Sequence, residues 1–353
     1  MKKVAVIGAG PCGITAIKNF NDQGFEVTAF ERCEGVGGNW RFNDPSGHSS
    51  VFETTHIISS KYTSFYEDFP LPKDASDYPS HKELLKYFND YADHFDINRL
   101  IKFGTEVLHC KYTDDNKWII QWRSLDSENI NEDKFDALVV CNGHHHEPRY
   151  PSYPGDFSGE YLHSHDYKSA KPFADKRVLV IGGGNSACDV AVETARVAKK
   201  TTISWRRGYH LIPKFMFGLT TDIFSYKSRW LPVPLRVPFM KFMLELIQGK
   251  NEDIGLPKVT NHILATHPTV NSDLYNAVRH GKVKPKCDIE KFEEKTVYFQ
   301  DGSHEEFDAV IACTGYKIKH SIFDKDLVNF EEGPVNLLHR MLPAEIKNLY
   351  FIG

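Results

Sequence analysis

The sequence has little net charge and no paired cysteines. Its 43 lysine and arginine side chains nearly balance 47 aspartate and glutamate side chains, so the formal net charge is −4. This balance does not favour a nucleic-acid partner. The seven cysteines are odd in number, scattered and without a CxxC pair, which is typical of a reducing compartment. We therefore predict a cytoplasmic protein that binds no nucleic acid.

Long apolar runs are also missing. A membrane-spanning helix needs roughly 20 consecutive apolar residues. The nearest candidate, Trp230 to Ile247, is interrupted by Pro232, Pro234 and Pro238 and by charged residues. No transmembrane segment is predicted. For this stretch we favour a buried insertion or the wall of a substrate channel over contact with a membrane surface.

An internal repeat indicates two similar domains. The segment VAVIGAGPCG at 4–13 has a counterpart in VLVIGGGNSA at 178–187, and FDALVVCNG at 135–143 has one in FDAVIACTG at 307–315. The two pairs lie 174 and 172 positions apart, in the same order. Each opening run reads as a buried strand, a glycine turn and a helix, and each closing run as a central strand. The predicted fold class is α/β, with two doubly wound, Rossmann-like dinucleotide-binding domains.

The first glycine turn predicts an FAD site. Gly8, Gly10 and Gly13 form GxGxxG between a strand and a helix, where glycines let the backbone approach a pyrophosphate at the helix N-terminus. Glu31 follows 18 residues after Gly13, at the end of the next strand. An acid there can accept hydrogen bonds from the ribose hydroxyls.

The second glycine turn predicts a nicotinamide cofactor, with NADPH favoured over NADH. The position that matches Glu31 is Trp205, and Arg206 and Arg207 follow it. Loss of the acid removes a repulsive group from the ribose 2′ position, and guanidinium groups can grip a 2′-phosphate. The turn residues assigned to this cofactor are Gly182, Gly184, Asn185 and Ser186.

Two dinucleotide sites in one chain favour hydride transfer from nicotinamide to flavin. Thioredoxin-reductase-like enzymes pass the electrons on to a close cysteine pair, which this sequence lacks. The remaining acceptors are external, either oxygen or a carrier protein.

Further motifs resemble the flavin-containing monooxygenase family of class B flavoprotein monooxygenases. FSGEYLHSHDYK fits the pattern FxGxxxHxxxY at residues 157–167, EGVGGNW at 34–40 resembles a second flavin motif, and Thr314-Gly315-Tyr316 resembles a late linker motif. SSK at 59–61 and DFP at 68–70 resemble an active-site stretch. The resemblance covers essentially the whole chain. It implies a glutathione-reductase-like two-domain flavoprotein, with an FAD domain at 1–170 and 308–353 and an NADPH domain at 171–307 that contains an insertion at 207–290.

The resemblance also implies the chemistry. NADPH reduces FAD, oxygen gives a C4a-hydroperoxyflavin, and this species oxygenates a soft nucleophile, nitrogen or sulfur, in a small-molecule substrate. It adds Gly37, Gly38, Trp40, Thr314 and Gly315 to the cofactor residues. Three alternatives stay open: oxygen insertion into ketones of the Baeyer-Villiger type, an NADPH oxidase or carrier-linked reductase that releases hydrogen peroxide, and a non-catalytic nucleotide-sensing or scaffold protein.

The chain departs from the family pattern in two places. The resemblance puts Ile58, Ser59 and Ser60 at the flavin, but the family has asparagine where this chain has Ile58, and an aliphatic side chain cannot donate a hydrogen bond. The chain also stops after NLYFIG at 348–353, so we expect part of the flavin pocket to come from further residues or from another chain, as in a homodimer. No metal site is expected, because the consecutive His144, His145 and His146 point apart.

Overall fold

The computed structural model describes residues 1–260, 263, 269–324, 326–328 and 337–353. The chain divides into two compact units. Unit 1 comprises Met1–Val51, Ser80–Glu147 and Tyr316–Gly353, and unit 2 comprises Phe52–Pro79 and Pro148–Gly315. Residues 261–262 and 264–268 of the predicted insertion lie outside the described residues.

Unit 1 is built on a five-stranded sheet in which every pairing is parallel. Across the sheet the strands run in the order Leu349–Phe351, Ala137–Val140, Lys3–Ile7, Glu26–Phe30 and Ile101–Lys102. The opening strand leads through the first glycine turn into the helix Pro11–Asp22. Val4, Ala5 and Val6 are buried because both faces of the sheet are covered.

Unit 2 contains a second five-stranded sheet, again with parallel pairings only. Its strands run in the order Val283–Lys286, Lys200–Ser204, Arg177–Ile181, Ala309–Ala312 and Glu160–His163. The strand Arg177–Ile181 leads through the second glycine turn into the helix Asn185–Thr194. The prediction of an α/β fold with parallel sheets is confirmed.

The internal repeat corresponds to the same arrangement in both sheets. Each opening strand has the closing strand of its own repeat on one side and the next strand along the chain on the other. The chain order therefore reverses beside each glycine turn, and such switch points are where parallel sheets bind ligands.

Smaller elements complete unit 1. The helix His81–His94 begins with a capping box, in which Ser80 accepts a hydrogen bond from the Glu83 amide and the Glu83 carboxylate accepts one from the Ser80 amide. Unit 1 also has an antiparallel layer of three strands. The other elements are the strands Thr105–Tyr112, Trp118–Ser124, Asn131–Phe135, Leu337–Leu338 and Leu342–Pro343 and the 3₁₀ turns Gly38–Trp40 and Asn98–Leu100.

Unit 2 has a second antiparallel layer and a helical segment. A hairpin at Asp301-Gly302 joins Thr296–Phe299 to His304–Glu306, beside Ile289–Glu293. After Asn185–Thr194, the further described helices of unit 2 are Thr221–Lys227, Val233–Gln248 and Leu274–Arg279. Short strand pairs are Leu211–Ile212 with Thr269–Val270 and Phe215–Met216 with Leu219–Thr220, and the 3₁₀ turns are Lys171–Phe173, Ser228–Trp230 and Asn251–Ile254.

The structural units differ from the predicted domain ranges. The strands Glu160–His163 and Ala309–Ala312 pair with each other in the sheet of unit 2, although their numbers fall in the predicted first domain. The segment Phe52–Pro79 also groups with unit 2. Val283–Lys286 is an edge strand of that sheet, so the inserted segment ends before residue 283. These pairings are long-range and leave no local signal in the sequence.

Candidate functional site

The first glycine turn requires glycine at two positions for steric reasons. Gly8 has a φ of +96°, and a Cβ atom added to it would lie 2.6 Å from the carbonyl oxygen of Cys141 on the closing strand. A Cβ atom on Gly13 would lie 2.0 Å from the carbonyl oxygen of Gly8. The turn, the helix and the closing strand are therefore packed backbone to backbone.

The segment EGVGGNW packs against this turn. Gly37 donates its amide hydrogen to the carbonyl oxygen of Ala9 over 3.0 Å. A Cβ atom on Gly38, which has a φ of +50°, would lie 3.0 Å from Cα of Gly10. Trp40 follows, half-buried, at the end of a 3₁₀ turn. The two glycine motifs, at 8–13 and 34–40, thus pack together in unit 1.

Glu31 lies at the predicted ribose position and is buried. Its Oε2 accepts a hydrogen bond from the Ala9 amide over 2.6 Å, and its Oε1 accepts one from the Cys33 amide over 2.8 Å. Each carboxylate oxygen keeps a further lone pair. The carboxylate is therefore fixed beside the turn and can still accept hydrogen bonds from a ligand.

The second glycine turn repeats this geometry in unit 2. Gly182 has a φ of +128°, and an added Cβ atom would lie 2.4 Å from the carbonyl oxygen of Cys313. Gly184 is the N-cap of the helix Asn185–Thr194, and a Cβ atom there would have nothing within 4 Å. In both units the N-cap is a glycine and no side chain caps the start of the helix.

Gly183 is a residue of the second glycine turn that the motif spacing did not single out. A Cβ atom on it would lie 2.3 Å from the Tyr209 ring and 3.1 Å from Cδ2 of Trp205. Trp205 is fully buried. At the matching place in unit 1, the Glu31 carboxylate contacts the Ala9 amide. The tryptophan thus takes the space that the acid takes in unit 1.

The two predicted phosphate-binding arginines lie at the same edge of the sheet as this turn. Arg206 and Arg207 are exposed and come directly after the strand Lys200–Ser204, which pairs in parallel with Arg177–Ile181. The Arg207 guanidinium lies 5.4 Å from the centre of the Tyr209 ring, a cation–π contact. Since carboxyl ends of parallel strands share one edge, the chain positions of both arginines and of the glycine turn lie at the same edge of this sheet.

The helix start of this turn has two further predicted residues. Asn185 uses its side-chain oxygen to accept a hydrogen bond from the Val270 amide over 2.7 Å, so it also fastens the short strand Thr269–Val270 to the turn. Thr269 donates its hydroxyl hydrogen to the Gly183 carbonyl oxygen over 3.2 Å. Ser186 is exposed.

The late linker residues hold a second chain segment. The Thr314 hydroxyl donates to the carbonyl oxygen of Arg149, and the Arg149 amide donates to the carbonyl oxygen of Gly315 over 3.0 Å. Gly315 has a φ of +81°, which favours glycine. These bonds fix the end of the closing strand of unit 2.

The stretch 58–60 lies in unit 2 and is anchored from the inserted segment. The Ser60 amide and the Thr63 hydroxyl both donate to Oδ2 of Asp222, over 2.7 and 2.6 Å. Burial raises the pKa of Asp222, but these hydrogen bonds outweigh it and bring the pKa to about 2. The Ser64 hydroxyl donates to Ser59 over 2.7 Å. Asp222 was missed because it is 162 residues from Ser60 and has no motif of its own.

The pattern at 157–167 is part of the packing of unit 2. His163 is fully buried, and burial lowers its pKa to about 4, so the ring is neutral near pH 7. A Cβ atom on Gly159 would lie 2.8 Å from the carbonyl oxygen of Asp308. Tyr167 donates its hydroxyl hydrogen to Glu193 over 3.1 Å. These contacts favour a structural role for the pattern over acid–base catalysis.

Comparison with known proteins places the chain in a family. The family model described as flavin-binding monooxygenase-like matches residues 1–352. The chain belongs to the flavin-binding monooxygenase-like family. This confirms the resemblance inferred from the motifs, and with it the predicted enzyme class, a monooxygenase that works with FAD and NADPH.

Relatives of this monooxygenase match nearly its full length. It is 35% identical to the N-oxide-forming dimethylaniline monooxygenase 2 of Oryctolagus cuniculus over 99% of this chain and 68% of the relative. It is 36% identical to flavin-containing monooxygenase 5 of Mus musculus over 98% and 67%. The flavin-containing monooxygenase from Stenotrophomonas maltophilia superposes with a TM-score of 0.74 at 20% identity, covering 100% of this chain and 91% of that one. The last comparison supports the fold.

Proposed function

We propose that this monooxygenase uses NADPH and oxygen to oxygenate a nitrogen or sulfur atom of a small molecule. The observation that carries the proposal is the pair of glycine turns at matching switch points, one with a buried acid beside it and the other with a tryptophan and two arginines. The difference between the two turns indicates two different nucleotides.

In this proposal unit 1 is a Rossmann-like domain that holds FAD. The uncapped N-terminus of Pro11–Asp22 receives the pyrophosphate, and the Glu31 carboxylate receives the ribose hydroxyls. The fit is supported by Gly8 and Gly13, where any side chain would collide with backbone. The residues that would hold FAD are Gly8, Gly10, Gly13, Glu31, Gly37, Gly38 and Trp40.

Unit 2 is proposed to hold NADPH in the same way. The uncapped N-terminus of Asn185–Thr194 receives the pyrophosphate, and Arg206 and Arg207 receive the 2′-phosphate. Trp205 supports the choice, because a buried acid at this place would repel that phosphate. Gly182, Gly184, Asn185 and Ser186 would line the turn, and Thr314 and Gly315 would hold the neighbouring closing strand in place.

The bound flavin supplies the chemistry that activates oxygen. The chain contributes binding, orientation and exclusion of water. Ser59 and Ser60 are held in a fixed turn by Asp222, so the stretch can present a constant surface to a substrate. The neutral, buried His163 is not a proton donor near pH 7.

The choice of a soft nucleophile follows from a relative and from general chemistry. A relative at 35% identity is named for N-oxide formation. A thioether is a nucleophile of the same kind, and the balanced reaction is NADPH, a proton, oxygen and thioether giving NADP⁺, water and sulfoxide.

The test is product analysis on purified, flavin-loaded protein. A tertiary amine, a thioether and a cyclic ketone are each incubated with NADPH and oxygen, and the product formed per NADPH consumed is measured. We expect N-oxide and sulfoxide at close to one per NADPH, and no lactone. Lactone from the ketone with neither oxide would replace the proposal by the Baeyer-Villiger alternative.

An NADPH oxidase is a second candidate, favoured by Ile58. An aliphatic side chain stands where the family pattern has asparagine, and it has no group to donate to a reacting oxygen. Hydrogen peroxide at one per NADPH, without oxygenated product, would support the oxidase. In that case Ile58→Asn is expected to raise product per NADPH, whereas Ile57→Asn, one residue earlier, is the matched control and is expected to have no such effect.

Two statements about the enzyme stay predictions: its cytoplasmic location and its formation of a homodimer. All seven cysteines are free thiols, as a reducing cytoplasm requires. Homodimer formation rests on the expected shared pocket. No helix within the described part of the chain is both long and apolar enough to cross a bilayer.

A further inference from the structure

Asn271 is a buried polar residue beside the second glycine turn, with an exposed fraction of 4%. Its Nδ2 donates a hydrogen bond to Oδ1 of Asp189 over 2.7 Å, and its Oδ1 accepts one from the Leu274 amide over 2.7 Å. Its own amide donates to the Ile212 carbonyl oxygen over 3.0 Å. Because a buried amide side chain needs such partners, these bonds fix the orientation of Asn271.

The segment 269–272 is attached to the second glycine turn at two further positions. The Thr269 hydroxyl donates to the Gly183 carbonyl oxygen over 3.2 Å, and the Val270 amide donates to the Asn185 side chain over 2.7 Å. Asn185 is the first residue of the helix that begins at this turn. Three consecutive residues of the segment are therefore each bonded to the turn or to its helix.

The segment 269–272 is also bonded to the inserted segment. The Lys214 amide donates to Oγ of Ser272 over 2.9 Å. The Lys214 carbonyl oxygen accepts a hydrogen bond from the Thr221 amide over 3.0 Å. Thr221 is buried and is followed directly by Asp222. These bonds therefore lead from the second glycine turn to the Asp222 carboxylate.

Asp222 completes a continuous connection of hydrogen bonds and neighbouring residues within unit 2. Its Oδ2 accepts hydrogen bonds from the Ser60 amide and the Thr63 hydroxyl. The connection joins the helix of the second glycine turn to the stretch 58–63, and both belong to unit 2. Its members are Asp189, Asn271, Ser272, Lys214, Thr221 and Asp222.

Two basic side chains lie near the Asp189 carboxylate. Burial raises the pKa of Asp189 to about 6, against the positive charges of Lys214 and His56, which lower it. Lys214 is a member of the connection, and His56 comes two residues before the stretch 58–63. At pH 8 the Asp189 carboxylate is therefore ionised, and it attracts one side chain from the inserted segment and one from beside the stretch.

We infer that the connection couples a nucleotide bound at the second glycine turn to the conformation of the stretch 58–63, with Asp189 and Asn271 as positioning residues. A phosphate group at the N-terminus of the helix orders its first turn, from which Asn185 holds the segment 269–272. Because the bonded groups are buried and have few alternative partners, order at one end favours order at the other. The inference rests on the proposed function, in which NADPH binds at this turn.

Asn271→Asp separates this coupling from a local role of Asn271. The aspartate keeps an acceptor for the Leu274 amide at the start of the helix Leu274–Arg279, so the local role is retained. It replaces the donor to Asp189 by a carboxylate, and at pH 8 the two carboxylates repel each other. The exchanged pair, Asp189→Asn with Asn271→Asp, restores one donor and one acceptor.

Hydrogen exchange of the flavin-loaded protein at pH 8, measured by mass spectrometry, tests the inference. The probe is adenosine 2′,5′-bisphosphate, which resembles the adenosine half of NADPH but has no nicotinamide that could itself contact the stretch 58–63. We expect the saturating probe to slow exchange in the peptide 57–64 about fivefold or more in the unchanged protein. Asn271→Asp is expected to abolish this slowing, and the exchanged pair is expected to restore it.

Thr194→Val is the matched control. Thr194 is fully buried on the same helix, and its hydroxyl donates to the Val190 carbonyl oxygen over 2.7 Å, so the variant loses a buried hydrogen bond outside the connection. It is expected to keep the slowing. Product formed per NADPH should fall in Asn271→Asp and recover in the exchanged pair, with the KM for NADPH changed by less than about threefold. Circular dichroism melting establishes folding, and if Asn271→Asp does not fold, Ser272→Ala, which removes the acceptor of the Lys214 amide, takes its place.

Three results would overturn the inference alone. The bound probe does not slow exchange in the peptide 57–64 of the unchanged protein, or it slows exchange equally in Asn271→Asp, or the slowing is lost equally in Thr194→Val. Failure of the probe to bind, measured by titration, would instead contradict the proposed NADPH site, and the inference would fail with it. Slowing without any oxygenated product would contradict the proposed oxygenation and leave the coupling established.

Discussion

The Ser60 amide donates a hydrogen bond to Oδ2 of Asp222 over 2.7 Å, joining residues 162 positions apart. Ser60 is fully buried, so this amide depends on that acceptor. The same oxygen accepts the Thr63 hydroxyl hydrogen, and the Asp222 side chain is ionised because its pKa is about 2. The inserted segment therefore determines the conformation of the stretch that the family resemblance puts at the flavin.

Asp222→Ala is expected to lower the product formed per NADPH. A buried amide without an acceptor costs about 1–3 kcal/mol, which loosens the turn at Ser60. Thr63→Val, which removes one donor, should have a smaller effect in the same direction, and Thr63→Ser should restore the coupling. Flavin content and the KM for NADPH are measured alongside. If Thr63→Ser forms as little product per NADPH as Thr63→Val does, the Thr63 hydroxyl has no positioning role.

Gly8→Ala is expected to lower both stability and flavin content. The added Cβ atom would collide with the Cys141 carbonyl oxygen and sit at positive φ, together costing about 2–4 kcal/mol. Gly24→Ala is the matched control, because Gly24 has a φ of +79° but nothing within 4 Å of the added atom. Chemical unfolding and the ratio of flavin to protein absorbance measure the two effects. Equal losses in both variants would show that the contact with Cys141 is unimportant.

Glu31→Gln is expected to weaken FAD binding by about 10- to 100-fold, equivalent to about 1.4–2.8 kcal/mol. Glutamine keeps the size but offers one acceptor oxygen, so it cannot serve Ala9, Cys33 and a ribose together. Titration of the flavin-free protein with FAD measures this change. The exposed Glu34→Gln controls for the lost charge, and equal affinities in the two variants would remove Glu31 from the FAD site.

Arg206→Ala with Arg207→Ala is expected to raise the KM for NADPH by about 10- to 100-fold and leave the KM for NADH nearly unchanged. Both guanidinium groups are exposed beside the second glycine turn, and only NADPH carries the 2′-phosphate. Arg196→Ala, exposed after the helix Asn185–Thr194, is the matched control. An equal rise in the KM for NADPH and the KM for NADH would mean that Arg206 and Arg207 do not bind the 2′-phosphate.

Glu193→Gln is expected to make stability less dependent on pH. Burial raises the pKa of Glu193 from 4.5 to about 7. The hydrogen bond from Tyr167 lowers this pKa, and the nearby charge of Asp189 raises it. The folded state binds the Glu193 proton more tightly than the unfolded state does. The stabilisation of the fold by this proton is therefore complete below pH 4.5 and is lost as the pH rises through about 7.

The free energy of unfolding of Glu193→Gln, relative to the unchanged protein, should therefore rise by on the order of 2 kcal/mol from pH 4.5 to pH 8. Urea unfolding across this range measures it, with the exposed Glu128→Gln as the control for charge. A difference that does not vary with pH would show that Glu193 does not titrate in this range.

The sequence by itself determined the features whose physics is local. A buried run ending in glycine and leading into a helix needs only neighbouring residues, so both turns, the Ser80 capping box and the position of Glu31 were predictable. The sequence also shows that Trp205 replaces the acid in the second repeat, because Trp205 follows Ala187 by the same 18 residues by which Glu31 follows Gly13.

Only the tertiary structure decided which distant segments meet and which side of a helix is covered. Asp222 and Ser60 meet because the segment 52–79 packs with the inserted segment, and no periodicity encodes that pairing. An apolar stretch looks the same in sequence whether it faces a core or the outside, so for Trp230 to Ile247 the sequence favoured a buried insertion or the wall of a substrate channel. In the structure Leu244 is buried, so the opposite side of the helix faces outward. The hydrophobic effect is not directional, so only the fold determines which apolar side chains find neighbours.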